Sequence, residues 1–219
     1  MISRLGAVIF DCDGVLVDSE PLMNRELTAM LNDIGLSYTA EETSRAFMGR
    51  SMKSSLQIIE TQLGKAVPGD FLSVLDQRAY AVFAQHLTSV EGVESVLDAL
   101  DRIGLPYAVA SSGSHDKMRT TLGITGLLPR LVGRITSATE VAHGKPAPDV
   151  FLLAAERLRV APHACVVIED SLLGIEAALA AGMRVIGLAA MVSQADMRAA
   201  GATWTMRKMS EVLELLALG

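Results

Sequence analysis

The residues Asp11-Cys12-Asp13-Gly14 end an apolar run, Ala7 to Phe10, in two aspartates separated by one position. Side chains i and i+2 of an extended segment share a face, so Asp11 and Asp13 point one way and Cys12 points into the core. Two carboxylates that close repel each other unless a cation intervenes. Other apolar runs end similarly: "YAVAS" (107–111) runs into Ser112-Gly113, and "CVVI" runs into Glu169-Asp170. Lys145 follows the run at 130–135 after a connection and precedes Pro146. If these runs are strands of one parallel sheet, their ends meet on the rim where open α/β sheets bind ligands.

That collection has a definite chemistry. Asp11, Asp13 and Asp170 are hard oxygen donors that leave room for water and phosphate, which suits Mg²⁺. Lys145 adds a fixed positive charge, and Ser111 can donate to an anionic oxygen. Asp11, at the strand tip, is the natural nucleophile toward phosphorus, forming an aspartyl-phosphate. Asp13 lies past a turn that Gly14 permits. It can protonate the leaving alkoxide and later deprotonate the attacking water. Mg²⁺, Lys145 and Ser111 would neutralise charge on the transferring oxygens. Asp18 and Glu20 belong instead to the start of the following helix, where the dipole favours acids. Ser112 and Gly113 either make a turn or touch the phosphate.

The elements that must position these residues alternate. Apolar runs at 6–10, 107–111, 130–135, 165–170 and 184–189 read as buried strands, with 202–206 as a weaker edge candidate. Helical spacing fills the gaps, as in Val93, Val96, Leu97, Leu100 and Ile103, closed by Gly104, and in 171–182 and 145–160. Strands alternating with helices predict a doubly wound parallel sheet, an α/β core of Rossmann-like type. Residues 20–88 break the alternation with three helical patterns and no convincing strand. The expected organisation is a core of 1–17 and 89–219 with an α-helical cap inserted at 18–88.

Composition narrows the function classes. The chain has 219 residues, half of them hydrophobic, enough for a sizeable core. A net charge of -6 and a pI of about 5.2, with no basic cluster interleaved with aromatics, argue against nucleic acid as a partner. Two cysteines are too few for a disulfide framework and fit a reducing compartment. No signal-peptide pattern and no uncharged apolar run of roughly 18 residues occurs, so the expectation is a cytoplasmic protein without a membrane partner. With no interface signal, a monomer is the default. The four histidines show no ligand spacing.

Together the motifs resemble the haloacid dehalogenase-like hydrolase superfamily. "DCDGVLVDSE" is similar to its first motif, "VASSGS" to its second, "GKPAPDVF" to its third and "VVIEDSLLGIEAALAAGM" to its fourth. The likeness spans essentially the whole chain, and the helical insert resembles the cap of the subgroup that includes β-phosphoglucomutase and many small phosphatases. The resemblance implies that Asp11 is nucleophile and Mg²⁺ ligand. It implies that Asp13 is general acid/base and binds metal through its main-chain carbonyl. Asp170 becomes a metal ligand, Glu169 lies near the metal or its waters, and Ser111 and Lys145 bind the phosphoryl group.

Single positions separate the branches. Dehalogenases and phosphonoacetaldehyde hydrolases lack the second aspartate, so Asp13 argues against both. The mutase resembles this chain but carries a cap histidine where Met23 stands and a cap arginine where Met52 stands. Arg50 and Lys53 lie nearby, in the specificity stretch "FMGRSMKSS", with Arg50 placed to reach a substrate anion. The reading is therefore a Mg²⁺-dependent phosphatase acting on a small phosphorylated metabolite, a sugar or polyol phosphate. The alternative is a β-phosphoglucomutase-like sugar-phosphate mutase. Phospho-accepting receiver domains use the same residue types in a different order and without a cap.

Overall fold

The computed structural model describes residues 5–47 and 52–216, with Lys53 and Leu216 as backbone only. It begins with strand β1 (Ala7–Phe10), then runs through helices α1 (Glu20–Asp33), α2 (Ala40–Phe47), α3 (Met52–Leu63) and α4 (Phe71–His86). From α5 (Val93–Ile103) the chain alternates: β2 (Tyr107–Ser111), α6 (His115–Ile124), α7 (Leu128–Leu131), β3 (Ile135–Ser137), α8 (Asp149–Leu158) and β4 (Cys165–Glu169). It closes with α9 (Leu172–Ala180), β5 (Arg184–Leu188), α10 (Gln194–Ala199), β6 (Trp204–Met206) and α11 (Met209–Leu216). Among the described residues no helix is long and apolar enough to cross a membrane.

The six strands form one parallel sheet in the order β3-β2-β1-β4-β5-β6. This is the α/β, Rossmann-like sheet that the alternating pattern predicts. The four strands β1, β2, β4 and β5 are apolar and nearly wholly buried because helices cover both faces. β6, half-buried, takes the edge. The order reverses between β1 and β4, and ligands in such sheets sit beyond the strand C-termini at that reversal. Phe10 is level with Ile168, and the Asp11 amide donates to the Ile168 carbonyl at 2.9 Å. The register therefore sets Asp11 beside the end of β4.

The chain divides into two compact units, Met1–Asp18 with Thr88–Gly219, and Ser19–Leu87. In the first, Ile9, Val167, Phe151, Ile175 and Val185 belong to one buried cluster. Its two connecting segments run side by side: Val17 bridges Ser89 antiparallel, and the Asp18 amide donates to the Thr88 carbonyl at 2.9 Å. The second unit holds only helices among the described residues. They pack on Leu27, Leu31, Phe47, Ile59, Phe71 and Leu75, and Arg78 ties α4 to Asp33 of α1 at 3.0 Å.

One strand differs from the sequence reading. The run at 130–135 is not extended: Pro129 lies in the first turn of α7, Leu131 is its buried contact, and Val132 is 70% exposed. Arg130 reaches back to Asp98 of α5 at 2.6 Å. The sheet is joined only from the Arg134 carbonyl onward, and β3 ends at Ser137. Apolar content in 130–135 serves a helix turn, so period alone misplaced the strand by several residues. Helices α2, α6, α10 and α11, six to ten residues long, also went unread.

Helix α5 offers a direct test of the packing. Leu97 is fully buried, whereas Ile103 on the same helix is 54% exposed. Leu97→Ala should cost about 2–5 kcal/mol in urea unfolding, and Ile103→Ala about 0.5 kcal/mol or less. Equal costs would contradict the assigned face.

Candidate active site

The site is built at the tips of β1 and β4. Asp11 follows β1 directly, with its side chain 9% exposed. The chain then turns: Gly14 has φ +73°, its amide donates to the Val17 carbonyl at 2.8 Å, and the Leu16 amide donates to the Cys12 carbonyl. A side chain is strained at that φ, which is why glycine stands there. Cys12 is buried, as alternation predicts. Burial and the neighbouring Asp13 and Asp11 charges push its thiol well above the ordinary value, so it stays protonated.

Lys145 comes from the loop between β3 and α8. Its ammonium donates to Asp11 Oδ1 at 2.6 Å and to Glu169 Oε1 at 2.7 Å, and it lies 4.7 Å from the centre of the Phe151 ring. Burial pulls the Lys145 ammonium down, but Asp11 and Glu169 outweigh it and hold the group above the ordinary lysine value. Glu169, buried at the end of β4, is fixed from its other side as well, since Oε2 accepts from the Ser171 amide at 2.6 Å. Its carboxyl lies against the first turn of α9. A Cβ on Gly174 would fall 1.6 Å from Glu169 Oε1, so only glycine fits. The helix N-terminus favours that negative charge, and Ser171 caps the helix by accepting from the Gly174 amide at 3.1 Å.

Asp11, Glu169 and Asp170 each offer an oxygen, and these three atoms lie within 4.8 Å of one another. At that spacing each pair repels by about 3 kcal/mol for an effective dielectric of about 20. Lys145 carries half the charge of the two carboxylates it pairs with. Burial, opposed by Lys145 and reinforced by the Glu169 and Asp13 charges, raises the Asp11 carboxyl from 3.8 to about 7. The donor set is all oxygen, close and excess in negative charge, which fits a hard divalent cation.

The β2 end supplies the rest. Ser111 is buried, and its Oγ accepts from the Gly113 amide at 3.1 Å; Ser112 is exposed. The Gly113 carbonyl accepts from Ser137 Oγ at 2.6 Å, tying the loop to the end of β3. A Cβ on Gly113 would stand 3.9 Å from Asp13 Oδ2, so this loop borders Asp13. Arg50, in the specificity stretch, lies outside the described residues.

Sequence reasoning missed Lys117. Its Nζ donates to Asp13 Oδ2 at 2.7 Å. The available signal was its place three residues after the capping Ser114, in the first turn of a helix that starts just beyond a strand tip. It also missed the brace behind the β2 loop, where Glu140 accepts from the Ser137 amide and pairs with Arg157 and His115.

Asp11's raised value has a consequence for stability. The folded state holds the Asp11 proton more tightly than the unfolded chain, so its contribution is full below 3.8 and lost as pH rises through about 7. In chelator, Asp11→Asn should melt above the wild type near pH 8, and the gap should narrow toward pH 5. A gap that does not change with pH would contradict this account of Asp11.

Known proteins share the sequence pattern and fold of this chain. The chain is 29% identical over 185 residues to the 6-phosphogluconate phosphatase of Escherichia coli, covering 84% of this chain and 82% of that protein. It is 31% identical to the phosphorylated carbohydrates phosphatase of Thermotoga maritima, covering 96% and 97%. A crystal structure of a haloacid dehalogenase family hydrolase from Deinococcus radiodurans, with bound phosphate and sodium, superposes with a TM-score of 0.84 at 32% identity, covering 98% and 96%. The family model of the haloacid dehalogenase-like hydrolases matches residues 5–182, and the chain belongs to that family.

Proposed function

We propose that the protein is a Mg²⁺-dependent phosphatase that hydrolyses a small phosphorylated carbohydrate through an aspartyl-phosphate on Asp11. The observation that carries this reading is the buried Asp11 at the sheet's reversal, paired with Lys145 and within common reach of Glu169 and Asp170. By name, the Escherichia coli relative is a 6-phosphogluconate phosphatase and the Thermotoga maritima relative a phosphorylated carbohydrates phosphatase, which supports the substrate class.

Asp11 attacks phosphorus, and the bond to the leaving oxygen breaks. Asp13 gives that oxygen a proton, then takes one from the water that releases phosphate from Asp11. Lys145 and Ser111 donate to the phosphoryl oxygens, with the loop of Ser112 and Gly113 beside them. Lys145 also holds Asp11 and Glu169 in place before substrate arrives. Mg²⁺ held by Asp11, Asp170, Glu169 and the Asp13 main-chain carbonyl would offset the crowded charge and polarise the phosphoryl group. The helical unit Ser19–Leu87 would serve as the cap that selects substrate, with Arg50 reaching an anionic group. Hydrolysis is preferred to mutase chemistry because Met23 packs on that unit's apolar cluster and Met52 is an exposed thioether. Neither can bind a second phosphate as a cation would.

Asp11→Asn should lower turnover of p-nitrophenyl phosphate by at least about a thousandfold, and EDTA should abolish it until Mg²⁺ is restored. Turnover that persists without metal would reject the mechanism.

A further inference from the structure

We infer that Lys117 is a positioning residue for Asp13, fixing the carboxyl group that trades a proton with the leaving oxygen. The inference rests on the phosphatase reading above. Lys117 and Asp13 are 104 residues apart in sequence, yet Nζ and Oδ2 meet at 2.7 Å. Their side chains are 27% and 16% exposed, so the pair is largely shielded from solvent, where a charged hydrogen bond is stronger than at the surface.

The placement runs against local preference. Lys117 is the third residue of α6, whose capping Ser114 accepts from the Lys117 amide at 3.2 Å. A cation in the first turn of a helix opposes the dipole, and acids are favoured there. Asp13 offsets that cost by bringing a carboxylate to the same helix end. Met118, the next residue, is fully buried and anchors the turn.

The route of the side chain is also prepared. A Cβ on Gly113 would lie 3.4 Å from Lys117 Cδ and 3.4 Å from Ser111 Oγ. The lysine stem thus crosses the β2 loop at its bare glycine to reach Asp13. One lysine holds the nucleophile and a second holds the proton carrier, each from a different strand end. Proton transfer depends on the orientation of the carboxyl at the moment the bond breaks. Lys117 sets that orientation by gripping Oδ2.

The test compares kcat/KM for p-nitrophenyl phosphate and phenyl phosphate on the same sample. p-Nitrophenolate departs readily without a proton, whereas phenolate gains more from one. The ratio of the two values is independent of how much protein is folded. In Lys117→Met the ratio should rise about tenfold or more, and in Lys117→Arg it should stay within about threefold of wild type. Asp13→Asn should raise it as well. If Asp13→Asn raises the ratio and Lys117→Met leaves it unchanged, Lys117 is a structural or phosphate-binding residue and the inference is overturned. If Asp13→Asn leaves the ratio unchanged, the acid role of Asp13 fails and the reading beneath the inference fails with it.

Discussion

Carboxylates gathered out of water repel one another and lose hydration, and the architecture around Asp11, Glu169 and Asp170 answers that constraint. The parallel register brings the ends of β1 and β4 level, so the acids come together whether or not their charges favour it. Lys145 bridges two of them from a loop with its own side chain almost wholly buried. Ser171 and the first turn of α9 hold Glu169 from the other side, and Gly174 leaves the space its carboxyl occupies. Each device fixes an acid in place without cancelling the whole charge. The excess negative charge that remains suits a divalent cation, and only with that positive charge in place would the site favour an anionic phosphoryl group.

The β2 loop is built by different means. Ser137 donates to the Gly113 carbonyl, and the Ser137 amide is bound in turn by Glu140. Arg157's hydrogen bond is the main cause that holds Glu140 down to about 2, so Glu140 stays ionised throughout the ordinary pH range. The brace runs from α8 through the end of β3 to the loop after β2. It sets the backbone amides and hydroxyls of that loop before any ligand arrives, which is the condition for electrostatic stabilisation without reorganisation.

Much of this was legible in the sequence. Buried strands of a parallel sheet are continuous apolar runs, so β2, β4 and β5 could be read almost to the residue, and the polar residues ending the β1, β2 and β4 runs marked the rim. Asp11, Glu169 and Asp170 stood out because charged residues seldom follow apolar runs without a reason, and Lys145 stood out in the stretch "GKPAPDVF". β3 was not legible: Leu131 and Val132 look like strand residues, and only Pro129 hinted at a helix turn. Lys117 was not read because its partner is 104 residues away; its place three residues after Ser114 marks a helix start near a strand tip but not the carboxylate it meets. Glu140 and Arg157 were hidden for the same reason. Chemistry at strand ends leaves a local signature, whereas side chains that converge from separate helices leave none.

The account stands on one cation being shared by acids from two strands. A crystal structure of the protein soaked with Mn²⁺ in place of Mg²⁺ and with phosphate tests it most directly, because manganese is visible by anomalous scattering. The account predicts one ion bound by Asp11 and Asp170 and touching a phosphate oxygen. Anomalous density elsewhere, with Asp11 and Asp170 sharing no ion, would contradict it.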